Sequence, residues 1–160
     1  DYKVTGVQTC ALPILAAAAA TARGTYAFPQ GVASGEPRET SLVLWTRCVP
    51  AAGGAAGDIP VTLEVGTDSR LTQLLARVEL TALAAYDHTV RCKVTGLPPG
   101  TPLYYRFTAG RDRSALGQAK TAPAAGSAPA QVRFAWFTCQ DWSVNHWGAM
   151  SLMEIGRAHV

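Results

Sequence analysis

A thiol and a carboxylate stand close together where an apolar segment near the C-terminal end turns polar. The segment VRFAWFTCQDW occupies residues 132–142, and Cys139 and Asp141 follow its apolar run. A thiolate is a metal ligand, so Cys139 could belong to a metal site. A cysteine at the end of a strand is more often a small core residue. The pattern alone leaves both interpretations open.

The elements around Cys139 would place it at the edge of a sheet. The apolar run before it predicts a strand buried on both faces, which is typical of an α/β sheet. Active sites of such sheets lie at the carboxyl ends of the strands, where Cys139 would stand. Asp141 or Ser143 would cap a following helix over residues 145–153. Three further side chains of this segment are assigned to packing: Trp142, His146 and Trp147.

The preceding part of the chain, residues 25–121, predicts a mainly β fold, an antiparallel fibronectin III/Ig-like β-sandwich. About seven short strand-like runs are separated by turns rich in Gly and Pro. Both faces of the run TSLVLWTR at residues 40–47 are apolar, and we assign Val43 and Trp45 to the interior. The run HTVRCKVTG alternates, and its predicted core face carries His88, Val90, Cys92 and Val94.

Composition separates this sandwich from the C-terminal part of the chain. Ala, Pro, Gly and Ser dominate residues 122–131, which indicates a linker, and residues 132–153 would start a second domain. The net charge of +3 is spread out, without a run of Lys or Arg, so nucleic-acid binding has no support. The sequence indicates no membrane span. We expect a monomer.

Four cysteines are spread along the chain without a C-x-x-C pair, which argues against a zinc-finger or thioredoxin-like site. They are Cys10, Cys48, Cys92 and Cys139. We expect no disulfide between Cys48 and Cys92, because our assignment places them on opposite faces of their strands. An inverted assignment of the faces would allow the pair.

Both ends of the chain are interpreted as translated sequencing-library DNA. QTCALPI at residues 8–14 and EIGRAHV at residues 154–160 can be encoded by complementary strands of one DNA segment, so residues 1–14 and 154–160 are left out of the fold prediction. Residues 15–24, LAAAAATARG, are typical of the end of a signal peptide with an A-x-A cleavage pattern. We therefore expect a secreted or periplasmic protein.

Several stretches together resemble one family, the PhoD-type alkaline phosphatases. They are FPQGVASGEP at residues 28–37, LVLWTR at residues 42–47 and RFAWFTCQ at residues 133–140, in this order. TGLPPGTPLYYRF at residues 95–107 is similar to a turn of fibronectin type III domains. In that turn Leu103 occupies the position where a corner tyrosine is usual.

The resemblance implies an exported, metal-dependent phosphatase or phosphodiesterase that hydrolyses phosphate esters with a metal-activated hydroxide. Cys139 would ligate a ferric iron (Fe³⁺) beside calcium, and Thr138 stands where the family commonly has Ser. The substrate would be a phosphate-ester small molecule or a phosphate-bearing polymer. Most of the remaining ligands are not in this chain, so we expect the fragment itself to be inactive, with no catalytic residue of its own.

Two other interpretations remain open. The first is an extracellular fibronectin-like binding module without catalysis, although such a module has no use for the apolar strand after the linker. The second is another metallophosphoesterase, such as a purple acid phosphatase. Those enzymes use Asp, Tyr and His ligands, so the Cys139 segment argues against this interpretation.

Overall fold

The computed structural model describes residues 8–10, 26–51, 57–128 and 131 of the 160-residue chain. The chain divides into two compact units, Asp1–Ser127 and Ala128–Val160. Every described strand belongs to the first unit. In the second unit only Ala128 and Gln131 are described, so the predicted strand and helix over residues 132–153 lie outside the described residues.

The described residues form eleven strands and one 3₁₀ helix. In chain order they are β1 (Gln8–Cys10), β2 (Tyr26–Ala27), β3 (Val32–Gly35), β4 (Ser41–Arg47), β5 (Val49–Pro50), β6 (Ile59–Gly66), β7 (Leu74–Ala82), the 3₁₀ helix (Ala84–Tyr86), β8 (Thr89–Thr95), β9 (Pro102–Ala109), β10 (Asp112–Arg113) and β11 (Gly117–Lys120). Within these residues no helix has the length and apolar character to cross a membrane.

The strands form two main sheets. The first has the order β1-β8-β4-β3, in which β1 runs parallel to β8 and the other neighbours are antiparallel. The second has the order β7-β6-β9, and both β10 and β11 pair with the other edge of β9. β2 and β5 make a separate antiparallel pair. The antiparallel β-sandwich predicted from the sequence is thereby confirmed.

Side chains that alternate along the strands of both sheets form one core. On β6, Val61, Leu63 and Val65 are fully buried, and on β9 the buried rings of Tyr105 and Phe107 meet edge to face with centroids 6.2 Å apart. Burying one such side chain stabilises a fold by about 1.5–3 kcal/mol. The strict alternation explains why these strands could be identified from their sequence.

The assignment of the two faces of β4 from the sequence was wrong. Leu42 and Leu44 are buried in the core, whereas Val43 and Trp45 are half-buried on the outer face of the first sheet. Because both faces of β4 are apolar, alternation alone could not distinguish them. The cross-strand register decides the question, since it pairs Leu44 with the buried Cys92 of β8.

A threonine closes the turn between β8 and β9 where fibronectin domains use a tyrosine. Leu103 is buried in the core and has no hydroxyl group that could form the hydrogen bond of a corner tyrosine. Instead, the Thr121 hydroxyl donates to the Pro98 carbonyl oxygen at 2.7 Å and accepts the Thr101 N–H at 2.9 Å. A residue from just beyond β11 therefore holds the turn that precedes β9.

Candidate functional site

The residue predicted to bind metal, Cys139, lies outside the described residues, as does its neighbour Asp141. The role of Cys139 as an iron ligand stays a prediction. The three side chains assigned to packing of the following helix, Trp142, His146 and Trp147, also lie outside them.

The described part of the sandwich has no metal centre of its own. Within it, no group of three or more His, Cys, Asp or Glu side chains comes together in a way that would hold a metal ion. The iron and calcium implied by the resemblance therefore do not fit any place in the described residues. Three charged side chains of the sandwich, Arg47, Asp68 and Asp87, instead hold loops and strand ends together.

Both core cysteines are thiols in the structure. Burial, together with the negative charge of Asp112, raises the pKa of the Cys48 thiol to about 12. A thiol with this pKa stays protonated at neutral pH, so Cys48 is not activated as a nucleophile.

The face assignment that argued against a Cys48–Cys92 disulfide was wrong, but the two thiols are still too far apart to pair. Both side chains are buried on the core side, not on opposite faces. Cys92 pairs with Leu44, whereas the Cys48 N–H donates to the carbonyl oxygen of His88, which lies four residues before Cys92. Four residues along a strand span about 13 Å. This separation is too large for a disulfide, which needs Cα atoms within about 7 Å.

A charged network ties the end of β4 to the loop before β8. Arg47 donates from Nη2 to Asp87 Oδ1 at 2.6 Å and from Nε to the Asp87 carbonyl oxygen at 3.0 Å, and Gln30 Oε1 lies 3.5 Å from its Nη1. The hydrogen bond from the Arg47 side chain to the carboxylate, helped by the charge of Arg47, lowers the pKa of the Asp87 carboxyl. The sequence placed His88 on the core face. In the structure His88 is half-buried with a φ of 54°, and its Nε2 lies 3.0 Å from the Gly57 carbonyl oxygen. We assign this network a structural role, because the Asp87 carboxylate is paired with Arg47.

A second carboxylate organises the turn between β6 and β7. Asp68 accepts the N–H groups of Arg70 at 2.9 Å, Thr72 at 3.2 Å and Gln73 at 2.8 Å. These bonds, chiefly that from Gln73, lower the pKa of the Asp68 carboxyl. They also hold Leu71 at φ 55, a conformation that few non-glycine residues adopt. Nothing in the sequence except the Asp before a polar turn indicated this arrangement.

Comparisons with known proteins find relatives of this sandwich in one protein family. Residues 15–123 match the family model of the PhoD-like phosphatase, N-terminal domain. Alkaline phosphatase D of Bacillus subtilis (strain 168) is 35% identical over 133 residues, which make up 81% of this chain and 23% of that protein. A solved structure of PhoD superposes with a TM-score of 0.59 at 34% identity, covering 69% of this chain and 22% of the other.

The chain spans less than a quarter of the length of the curated relative that it matches. The match to the family model covers the strands from β2 to β11 and more than half of the chain. The chain therefore belongs to the PhoD-like phosphatase family, in which the sandwich is the N-terminal domain.

Proposed function

We propose that this chain is the non-catalytic leading part of an exported, metal-dependent phosphatase and phosphodiesterase. The observation that carries the proposal is the family match over residues 15–123, together with the TCQD segment that follows the linker. We assign the sandwich itself no catalytic role, because Asp68 and Asp87 are held in structural hydrogen bonds and Cys48 and Cys92 are buried thiols. The substrate would be a phosphate-ester small molecule or a phosphate-bearing polymer, processed by a monomeric enzyme.

In this proposal Cys139 would hold an iron ion, and calcium would be the second metal of the catalytic domain. The bound metal ions would supply the activation of water and the neutralisation of charge on the phosphoryl group. Hard cations such as calcium need several oxygen ligands, and Asp141 alone does not provide them. This chain by itself is therefore expected to be inactive.

The experiment compares this chain with a complete protein that carries it as its N-terminal part. Hydrolysis of p-nitrophenyl phosphate and of bis-p-nitrophenyl phosphate is followed with and without a chelator. We expect turnover by the complete protein, loss of turnover with the chelator, and none by this chain. Turnover that survives complete metal removal would contradict the proposal. Absence of turnover in a folded, metal-loaded complete protein would favour the alternative, an extracellular binding module.

A further inference from the structure

The outer face of the first sheet carries an aromatic side chain beside two cations. Antiparallel pairing places Trp45 of β4 directly opposite Arg91 of β8, and Val43 opposite Lys93. Directly opposite side chains have Cβ atoms about 5 Å apart, and diagonal neighbours about 7 Å. Arg91 and Lys93 therefore both come within reach of Trp45. We call Val43, Trp45, Arg91 and Lys93 the cationic strip.

Small residues leave the other side of the strip open. On β3, Ala33 lies opposite Trp45 and Gly35 lies opposite Val43. Both are exposed, and a Cβ added at Gly35 would meet nothing within 4 Å. Among the described strands, β3 therefore has no bulky side chain on this face that would keep a flat molecule away from the indole of Trp45.

The two cations are not committed to the fold. Within the described part of the chain, neither Arg91 nor Lys93 has a hydrogen-bonding or ionic partner for its side chain. Arg47, on the same face, is by contrast bound to Asp87. No acidic residue lies among the described outward positions of β3, β4 and β8. Within the described residues, the strip is therefore a positively charged surface on which Arg91 is exposed and Trp45 and Lys93 are half-buried.

We propose that the cationic strip binds an acidic polysaccharide. Trp45 would stack on the apolar face of one sugar ring, since an indole presents a large apolar surface. Arg91 and Lys93, about 7 Å apart along β8, would pair with carboxylates of adjacent sugars. A neutral polysaccharide would offer no negative charge to Arg91 and Lys93. A polyanion without sugar rings would offer no apolar face to Trp45. The inference does not depend on phosphatase activity, because binding is measured without turnover.

The test measures binding of the 160-residue chain to three probes by isothermal titration calorimetry: polygalacturonate, neutral dextran and linear polyphosphate. Polygalacturonate should bind most tightly, and its affinity should fall as salt screens the charges. Trp45→Ala should lower this affinity about tenfold, the order of one lost aromatic stacking contact. The double variant Arg91→Ala/Lys93→Ala should lower it by a similar factor and remove most of the salt dependence.

Matched controls come from the outer face of the second sheet. Tyr104→Ala and Arg106→Ala remove the same kinds of side chain from β9 and should leave the affinity unchanged. Thermal melting of each variant separates lost binding from lost folding, and Arg91→Glu/Lys93→Glu replaces any Trp45 variant that does not fold. The proposal is overturned if polygalacturonate does not bind, if dextran or polyphosphate binds as tightly, or if the strip variants bind like the parent chain.

Discussion

The ring of Tyr105 lies directly over Gly117, its cross-strand partner on the neighbouring strand β11. A Cβ built at Gly117 would come within 2.7 Å of three ring atoms of Tyr105. Tyr105 is 2% exposed and meets Phe107 edge to face in the core. The absence of a side chain at Gly117 is therefore what allows a tyrosine ring to lie across the edge of the second sheet.

Gly117→Ala should destabilise the sandwich by about 1–3 kcal/mol, because the added methyl group forces the buried ring out of its position. Urea unfolding followed by circular dichroism measures the change. Gly35→Ala is the matched control, since nothing lies within 4 Å of its added Cβ, and it should change stability by less than about 0.5 kcal/mol.

A double-mutant cycle tests the contact itself. Replacing Tyr105 with the smaller Leu should relieve the clash, so Gly117→Ala should cost less in the Tyr105→Leu background than in the parent chain. Equal costs in the two backgrounds would mean that the ring of Tyr105 is not what Gly117 accommodates.

Thr121→Val should destabilise the turn between β8 and β9 by about 1–3 kcal/mol. The substitution keeps the shape but removes the acceptor for the Thr101 N–H and the donor to the Pro98 carbonyl oxygen. Thr101→Val is the control, because it removes only a solvent-exposed bond to the Pro99 carbonyl oxygen. Equal unfolding midpoints for the two variants in urea would rule out a special role for Thr121.

The Cys48 thiol should resist alkylation in the folded protein. With a pKa of about 12, its thiolate fraction at pH 8 is about 10⁻⁴, against about one quarter for an ordinary cysteine. Peptide mass spectrometry after iodoacetamide treatment should find Cys48 unmodified in buffer and modified in denaturant. Rapid labelling of Cys48 under native conditions, or a Cys48–Cys92 disulfide under mild oxidation, would contradict this structure.

Acid should weaken the fold through Asp68 and Asp87, whose pKa values are lowered by their hydrogen bonds. A carboxyl with a lowered pKa stabilises the folded state above its ordinary value near 4, and this contribution is lost as pH falls through the lowered pKa. The free energy of unfolding of Asp68→Asn should therefore fall less steeply below pH 4 than that of the parent chain.

A matched control for the acid experiment is Glu39→Gln, whose exposed carboxylate accepts no hydrogen bond within the described residues. Its acid profile should follow the parent chain. Identical slopes for Asp68→Asn and the parent would show that the turn carboxylate does not couple folding to pH.

The sequence predicts the sandwich well because most of its strands bury one face. On β6 and β9 the apolar residues alternate strictly, so their inward faces could be read directly. On β4 both faces are apolar, and only pairing with β8 identifies Leu44 as buried and Trp45 as outward. Whether an apolar residue of such a strand is buried depends on how the strand pairs with its neighbours. The periodicity of one segment carries no information about that pairing.

Two kinds of feature gave no usable sequence signal. The bonds of Thr121 to Thr101 and Pro98 join the two ends of the β9–β11 region, and an ordinary threonine after a strand does not indicate them. Positive φ values at Glu36 and Leu71 occur at residue types that usually avoid them. The Cys139 site is a different case, since its role as an iron ligand is implied by the resemblance to the PhoD-type phosphatases and the residue lies outside the described residues.

We propose that Cys139 binds iron in the phosphatase to which this sandwich is attached. The most direct measurement is the iron and calcium content of the complete protein, by inductively coupled plasma mass spectrometry, for the parent, Cys139→Ala and the control Cys48→Ala. We predict iron in the parent and in Cys48→Ala, and its loss together with phosphatase activity in Cys139→Ala. Iron retained at the parent level in a folded Cys139→Ala protein would contradict the account.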